Sequence, residues 1–203
     1  VPGTAAPIVV DFARTEGSAG NGLLPTGRVL DVIDDLEVTC VDNGMPVVVA
    51  AATDLGVSGY ETAAELAADT ALCDRVQSLR LRAGRLMGLG DVTDASVPKT
   101  TLVAAPREGG MICTRTFIPL RPHTSIGVLG AVSVITALLL DGSAGHDLAV
   151  PPEPGARIDV EHPSGRLQVE VDLDTTVHPP RVRRSSVVRT ARKLFDGTVF
   201  PRT

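Results

Sequence analysis

Between Pro122 and Gly142 the chain turns almost wholly apolar. From Ile126 to Leu140 no side chain is charged, and only Ser133 and Thr136 carry a polar group. The run is shorter than the roughly 20 apolar residues that span a bilayer. Ser125 ahead of it offers an N-cap hydroxyl and Asp141-Gly142 behind it a stop, so the pattern predicts a helix. A helix apolar on every side must be covered on every side. The segments around it read as strands, which makes a sheet its expected cover.

The remaining pattern supplies that sheet. Pro7 to Phe12 is a short strand of β-branched residues, followed by a Gly- and Ser-rich loop and a turn around Pro25-Thr26-Gly27. Leu36 to Val41 and Pro46 to Ala52 flank Asp42-Asn43-Gly44-Met45, where Asn-Gly predicts a hairpin. Glu61 to Leu89 predicts one long amphipathic helix, with Leu66, Leu72, Val76, Leu79, Leu86 and Met87 at helical spacing. Strands follow over Thr100 to Ala105 and Met111 to Ile118, joined by a turn at Gly109-Gly110. Beyond the buried helix and a Pro-rich passage, Arg157 to Glu161 and Gln168 to Leu173 alternate as half-buried strands do, with His162-Pro163-Ser164-Gly165 as their turn. Ser185 to Phe195 predicts the last strand. The expected fold is α+β: a curved mixed sheet wrapped around a central apolar helix, with a second helix outside, in one domain over residues 1–203.

Composition narrows the function classes. The net charge is -5 and the pI near 5.3. That balance, with no basic run interleaved with aromatics, argues against nucleic acid. With no Trp, one Tyr and four Phe, the core must be built from Val, Leu, Ile and Ala. Cys40, Cys73 and Cys113 are odd in number and widely spaced, so they fit neither a disulfide framework nor a zinc site. They read as buried thiols of a reducing, cytoplasmic protein. His146, His162 and His178 show no metal-ligand spacing, and neither a metal nor a cofactor is expected. No signal peptide or lipidation motif is visible. The chain starts at Val1 and not at Met, which reads as a fragment or a processed piece.

The candidate chemistry sits at the start of the apolar helix. Gly127 and Gly130 leave backbone N–H groups unshielded, with His123, Thr124 and Ser125 just ahead of them. Such a terminus can receive a carboxylate or phosphate. The plainer alternative is an ordinary capped helix whose glycines permit close packing. His123 can assist proton movement because its ordinary pKa lies near neutrality, against a merely packed or solvent-facing role. Arg115 and Arg121 are candidates to pair with a substrate carboxylate, although Arg115 sits mid-strand beside other partners. Arg75, Arg80, Arg82 and Arg85 read as a solvated helical face. Lys99 follows Pro98 just before a strand and reads as structural, as do Arg189 and Arg192.

Taken in order, these pieces resemble the PrpF-like isomerases. The matching segments are Leu23-Leu24-Pro25-Thr26-Gly27, Asp42 to Val49, and Asp54-Leu55-Gly56 with Gly59 and Glu61. Pro98-Lys99, His123, Gly130-Ala131, His162-Pro163-Ser164-Gly165 and Arg189-Thr190-Ala191-Arg192 continue the series. The resemblance implies the two-domain fold of diaminopimelate epimerase, in which two similar domains face each other across a cleft and each aims its central helix start at the substrate. It implies that this chain is the C-terminal half. The Lys and Cys usually assigned to proton transfer lie in the N-terminal half and have no counterpart here, so the catalytic residues stay unassigned.

The implied activity is a cofactor-independent cis–trans isomerisation or tautomerisation of an unsaturated di- or tricarboxylate. The implied substrate-binding residues are His123, Thr124, Ser125, Gly127, Gly130 and Met45. An N-terminal domain or a second chain would complete the cleft; no membrane partner is expected, and a homo-oligomer stays open. Three positions depart from the family's pattern: Arg28 and Met45 stand where Asn is common, and Leu129 where Thr is common. Met45 and Leu129 keep an alternative in play, a non-catalytic or repurposed domain with a less polar ligand.

Overall fold

Side-chain alternation sorts the core into two layers, one on each face of a single sheet. The computed structural model describes residues 6–153, 156–191 and 193–201. Its strands are β1 (Pro7–Phe12), β2 (Asp31–Ile33), β3 (Leu36–Asp42), β4 (Pro46–Ala51), β5 (Lys99–Ala104), β6 (Ile112–Ile118), β7 (Arg121–Pro122), β8 (Ile158–His162), β9 (Gly165–Asp174) and β10 (Arg181–Thr190). Its helices are α1 (Ala63–Ala68), α2 (Thr70–Leu86) and α3 (Val128–Leu138). The sheet runs β1-β10-β9-β8-β6-β5-β4-β3-β2, with β7 added on β6.

Because strand side chains alternate, each central strand feeds both layers. Val47 and Val49 of β4 join the layer built on α3, whereas Val48 and Ala50 join the layer under α2. Val103 of β5 faces α3, and Leu102 and Ala104 face α2. β8, β9 and β10 are covered on the α3 face alone, through Ile158, Val160, Leu167, Val169 and Val187. This difference explains the sequence pattern: the central strands read as continuous apolar runs and the later ones alternate.

Two connections are parallel, β4 to β5 through α1 and α2, and β6 to β8 through α3. Both step across the sheet in the same direction, but β5 and β6 are antiparallel, so the two crossovers start from opposed strands. The right-handed crossover rule then sends their helices to opposite faces. One is thereby enclosed and the other lies outside, as the sequence pattern predicts.

Several local expectations are corrected. The long amphipathic stretch is two helices, because Asp69 leaves helical geometry (φ -84, ψ 91) and its carboxylate accepts from the Leu72 N–H to cap α2. Thr62 and Glu65 form a capping box at α1. Leu86 does not join the buried stripe; it is 47% exposed. Arg80 belongs to no solvated face. It is wholly buried on α2, and its guanidinium donates to the carbonyls of Val92, Thr93, Ala95 and Val97 and to Gln77. Arg75 donates to the carbonyls of Asp54 and Leu55, and Arg82 pairs with Asp34.

Cys40 and Cys113 are buried as expected, but Cys73 is partly exposed. The last strand runs earlier than its pattern suggests, ending at Thr190. Arg192, Pro154 and Gly155 lie outside the described residues. Among the described residues no helix is long and apolar enough to cross a membrane.

Candidate functional site

The start of α3 lies at one end of the sheet, together with the β3–β4 hairpin, the first residue of β5, the end of β6 and the β8–β9 turn. Its N-cap is Gly127, not Ser125, and no side chain caps it. The Ala131 N–H bonds the Gly127 carbonyl at 2.8 Å and opens the helical ladder. That leaves the first-turn N–H groups without an intrahelical acceptor. A Cβ placed on Gly127 would meet only Lys99 Nζ, at 3.7 Å, and one on Gly130 only Ile126 Cγ1, at 4.0 Å. Gly127 is half-buried and Gly130 buried, and the nearest side-chain atom to each Cβ position is at ordinary van der Waals distance.

Ser125 fails to cap the helix because it is engaged elsewhere. Its N–H donates to His123 Nδ1 at 2.9 Å, and its hydroxyl lies 3.4 Å from His162 Nε2. The His123 N–H in turn donates to the Thr116 carbonyl at 2.7 Å, tying the segment to β6. Since His123 Nδ1 accepts, the neutral ring carries its proton on Nε2. Ser164 closes the other side: its hydroxyl donates to the Thr124 carbonyl at 2.6 Å and its N–H to His162 Nδ1 at 3.3 Å. His162 can therefore donate from Nε2 to the Ser125 hydroxyl. Burial, assisted by the nearby His123 and Arg115, pushes the His162 pKa below its usual value and favours this neutral form.

Below the tip, the polar residues of α3 fasten the helix to the hairpin. Ser133 Oγ donates to the Met45 carbonyl at 2.8 Å and accepts from the Asn43 N–H at 3.1 Å. Asn43 Nδ2 donates to Thr136 Oγ1 and Ser185 Oγ. The same contact region explains two departures from the family pattern. Leu129 packs against Gly44, whose Cβ position would lie 3.0 Å from Leu129 Cδ2, and Met45 packs against the α3 layer. Arg28 pairs with the buried carboxylate of Asp31.

The structure thus gathers His123, Thr124, Ser125, Gly127 and Gly130 at one place and sets Met45 beside them with its side chain turned to packing. Arg115 is not available to a ligand from this site; its Nε donates to the Glu61 carbonyl at 2.6 Å and its Nη1 to the Thr114 carbonyl. Arg121 is exposed. Glu161 faces away from the tip. Burial works to raise its pKa, but N–H donors from Arg107, Glu108 and Gly110 outweigh it and hold the carboxyl below its usual range.

Cys40 and Cys113 lie in the opposite layer. Burial pushes the Cys40 thiol up to about 12 and raises that of Cys113 as well, which makes both poor proton carriers. Among the described residues no His, Cys, Asp or Glu group could hold a metal ion. A concavity of about 780 Å³, lined in part by Leu138, Leu139 and His146, lies at the far end of α3 and shares no residue with this site.

Sequence reasoning passed over two residues that the fold brings to this helix start. His162 was assigned nothing, and Lys99 a structural role. Each belongs to a motif, His162-Pro163-Ser164-Gly165 or Pro98-Lys99, that helped to carry the family resemblance, and that was the signal available.

Comparison with known proteins bears on the whole constellation. The chain is 50% identical over 202 residues to the (4E)-oxalomesaconate Delta-isomerase of Novosphingobium sp. (strain KA1), covering 98% of this chain and 56% of that protein. It is 51% identical over 200 residues to the 4-oxalomesaconate tautomerase of Pseudomonas putida (strain KT2440), covering 98% of this chain and 54% of that protein. The crystal structure of methylitaconate-delta-isomerase shares the fold, with a TM-score of 0.87 at 22% identity over 98% of this chain and 56% of that one. The chain therefore spans little more than half the length of the curated relatives it matches. The family model described as PrpF protein matches residues 1–202, and the chain belongs to that family.

Proposed function

We propose that this chain is one domain of a two-domain, cofactor-independent isomerase and supplies the carboxylate-binding half of its site. The substrate class is an unsaturated di- or tricarboxylate, and the reaction an allylic or keto–enol proton shift. A base takes the proton from the carbon next to a carboxylate or carbonyl. The C–H electron pair becomes a new double bond as the existing one shifts, and the conjugate acid returns a proton at the far carbon, so nothing is gained or lost overall. The start of α3 stabilises the negative charge that develops between the two transfers. His123, Thr124, Ser125, Gly127 and Gly130 form this receiving surface, with Met45 at its border. The groups that move the proton come from the further length that the relatives possess.

The observation that carries this reading is the uncapped start of α3, in a chain half identical to proteins named for oxalomesaconate isomerisation. The less polar alternative rested on Met45 and Leu129. Both side chains are occupied in packing the hairpin against α3, so neither calls for an apolar ligand. Expressed with the sequence that flanks it in its reading frame, the protein is expected to incorporate deuterium from D₂O into 4-oxalomesaconate without added metal or cofactor. Exchange no faster than in buffer would overturn the isomerase reading.

A further inference from the structure

We propose that Lys99 is the cation of this site, its ammonium and the bare amides at the start of α3 taking one substrate carboxylate between them. The inference rests on the reading of that helix start as a carboxylate receiver and adds to it the charged side chain that no sequence argument had placed there.

The position itself is the first argument. Lys99 opens β5, the strand between β4 and β6, and the topology brings its Nζ next to the N-cap Gly127. A Cβ at residue 127 would lie 3.7 Å from that ammonium, an ordinary contact distance, so Nζ stands directly beside the N-cap of α3.

The second argument is electrostatic. A helix start carries roughly half a positive charge, and a cation beside it is repelled. Natural compensation would be a carboxylate, as at α1 and α2, where Glu65 and Asp69 occupy the same place. Here it is absent. Among the described residues no ion pair includes Lys99, although Lys193, the only other lysine, pairs with Asp196. The side chain is half-buried, and burial lowers its pKa from the ordinary lysine value. Two positive features therefore converge, and among the described residues no anion is paired with Lys99 to offset them. Such an arrangement costs the unliganded fold stability, and an incoming carboxylate removes the cost.

The third argument comes from the named relatives, whose substrates carry carboxylates. Neutralising a carboxylate that is conjugated to the reacting carbon lowers the charge built up when the proton leaves. A compact lysine ammonium suits this role, because a point charge on a flexible stem can follow the carboxylate as the double bond shifts.

The test uses the intact protein and propane-1,2,3-tricarboxylate, which is saturated and cannot isomerise. Lys99→Met is expected to weaken its binding, measured by calorimetry, at least tenfold and to flatten the salt dependence. Its melting temperature should hold or rise. Lys99→Arg should recover part of the affinity. Gly127→Asp places a carboxylate within the protein at the proposed anion position, and it should raise the melting temperature while abolishing binding.

Unchanged binding in Lys99→Met, a lowered melting temperature in that variant, or no tricarboxylate binding by the wild type would each overturn the proposal. If the wild type binds through Lys99 yet exchanges no deuterium, the clamp stands and the isomerase reading falls. If it exchanges deuterium and Lys99→Met does so with the same KM, the reverse holds.

Discussion

The helix starts on the two faces of the sheet are built in opposite ways. On the outer face, Asp69 caps α2 through the Leu72 N–H and the Thr62–Glu65 box caps α1. On the inner face, α3 begins at a glycine with no side-chain acceptor, and a lysine ammonium stands where a carboxylate would be expected. The two differ again in what holds them. The outer helix is amphipathic and anchored by one buried guanidinium, whereas α3 is enclosed by apolar side chains and pinned to the β3–β4 hairpin by Ser133 and Thr136. The contrast teaches that the bare start is not a general looseness of this chain. Caps are used where a helix start has only to be stable, and the uncapped start belongs to the helix that is held by burial from Gly130 to Leu138.

The largest expected effect breaks the outer anchor. Arg80→Met leaves four loop carbonyls without their donor and should cost more than about 3 kcal/mol of stability, read from the denaturant midpoint. A loss below about 1 kcal/mol would mean that α2 is held by its apolar stripe alone. Next comes the inner pin. Ser133→Ala removes the acceptor of the buried Asn43 N–H and the donor to the partly buried Met45 carbonyl, at about 2 kcal/mol. An equal loss in Ser78→Ala, whose hydroxyl meets Asp34 on the exposed side of α2, would erase the distinction between the two helices. The smallest effect concerns the outer cap: Asp69→Ala should cost about 1 kcal/mol. Lys99→Met at the inner start should cost nothing, and the two melting curves compared directly decide whether the starts differ in kind.

How much of this could be read from residues alone varied with the range of the interaction. The enclosed helix was plain, because an uncharged stretch from Ile126 to Leu140 leaves no face for water. The hairpin at Asn43-Gly44 and the alternation of β8 and β9 were plain for the same reason, being set by near neighbours. The break at Asp69 was missed because Leu66, Leu72 and Val76 keep a helical period across it. Arg80 was misread because charge suggests solvent, and the carbonyls that satisfy it belong to the Val92–Val97 loop, which helical periodicity does not describe. Ser125 was misread as a cap because its hydroxyl partner, His162, is far away in sequence.

The order of apolar and polar positions by itself determined the α+β class, the central helix and its enclosure, since burial pattern is a local property of each segment. The strand order decided the rest. Only when β4, β5, β6 and β8 lie side by side do Met45, Lys99, His123 and His162 reach one end of the sheet around Gly127. Electrostatic and hydrogen-bonding partners act over a few ångströms in space, and no spacing along the chain encodes which distant segments the sheet will bring within that reach.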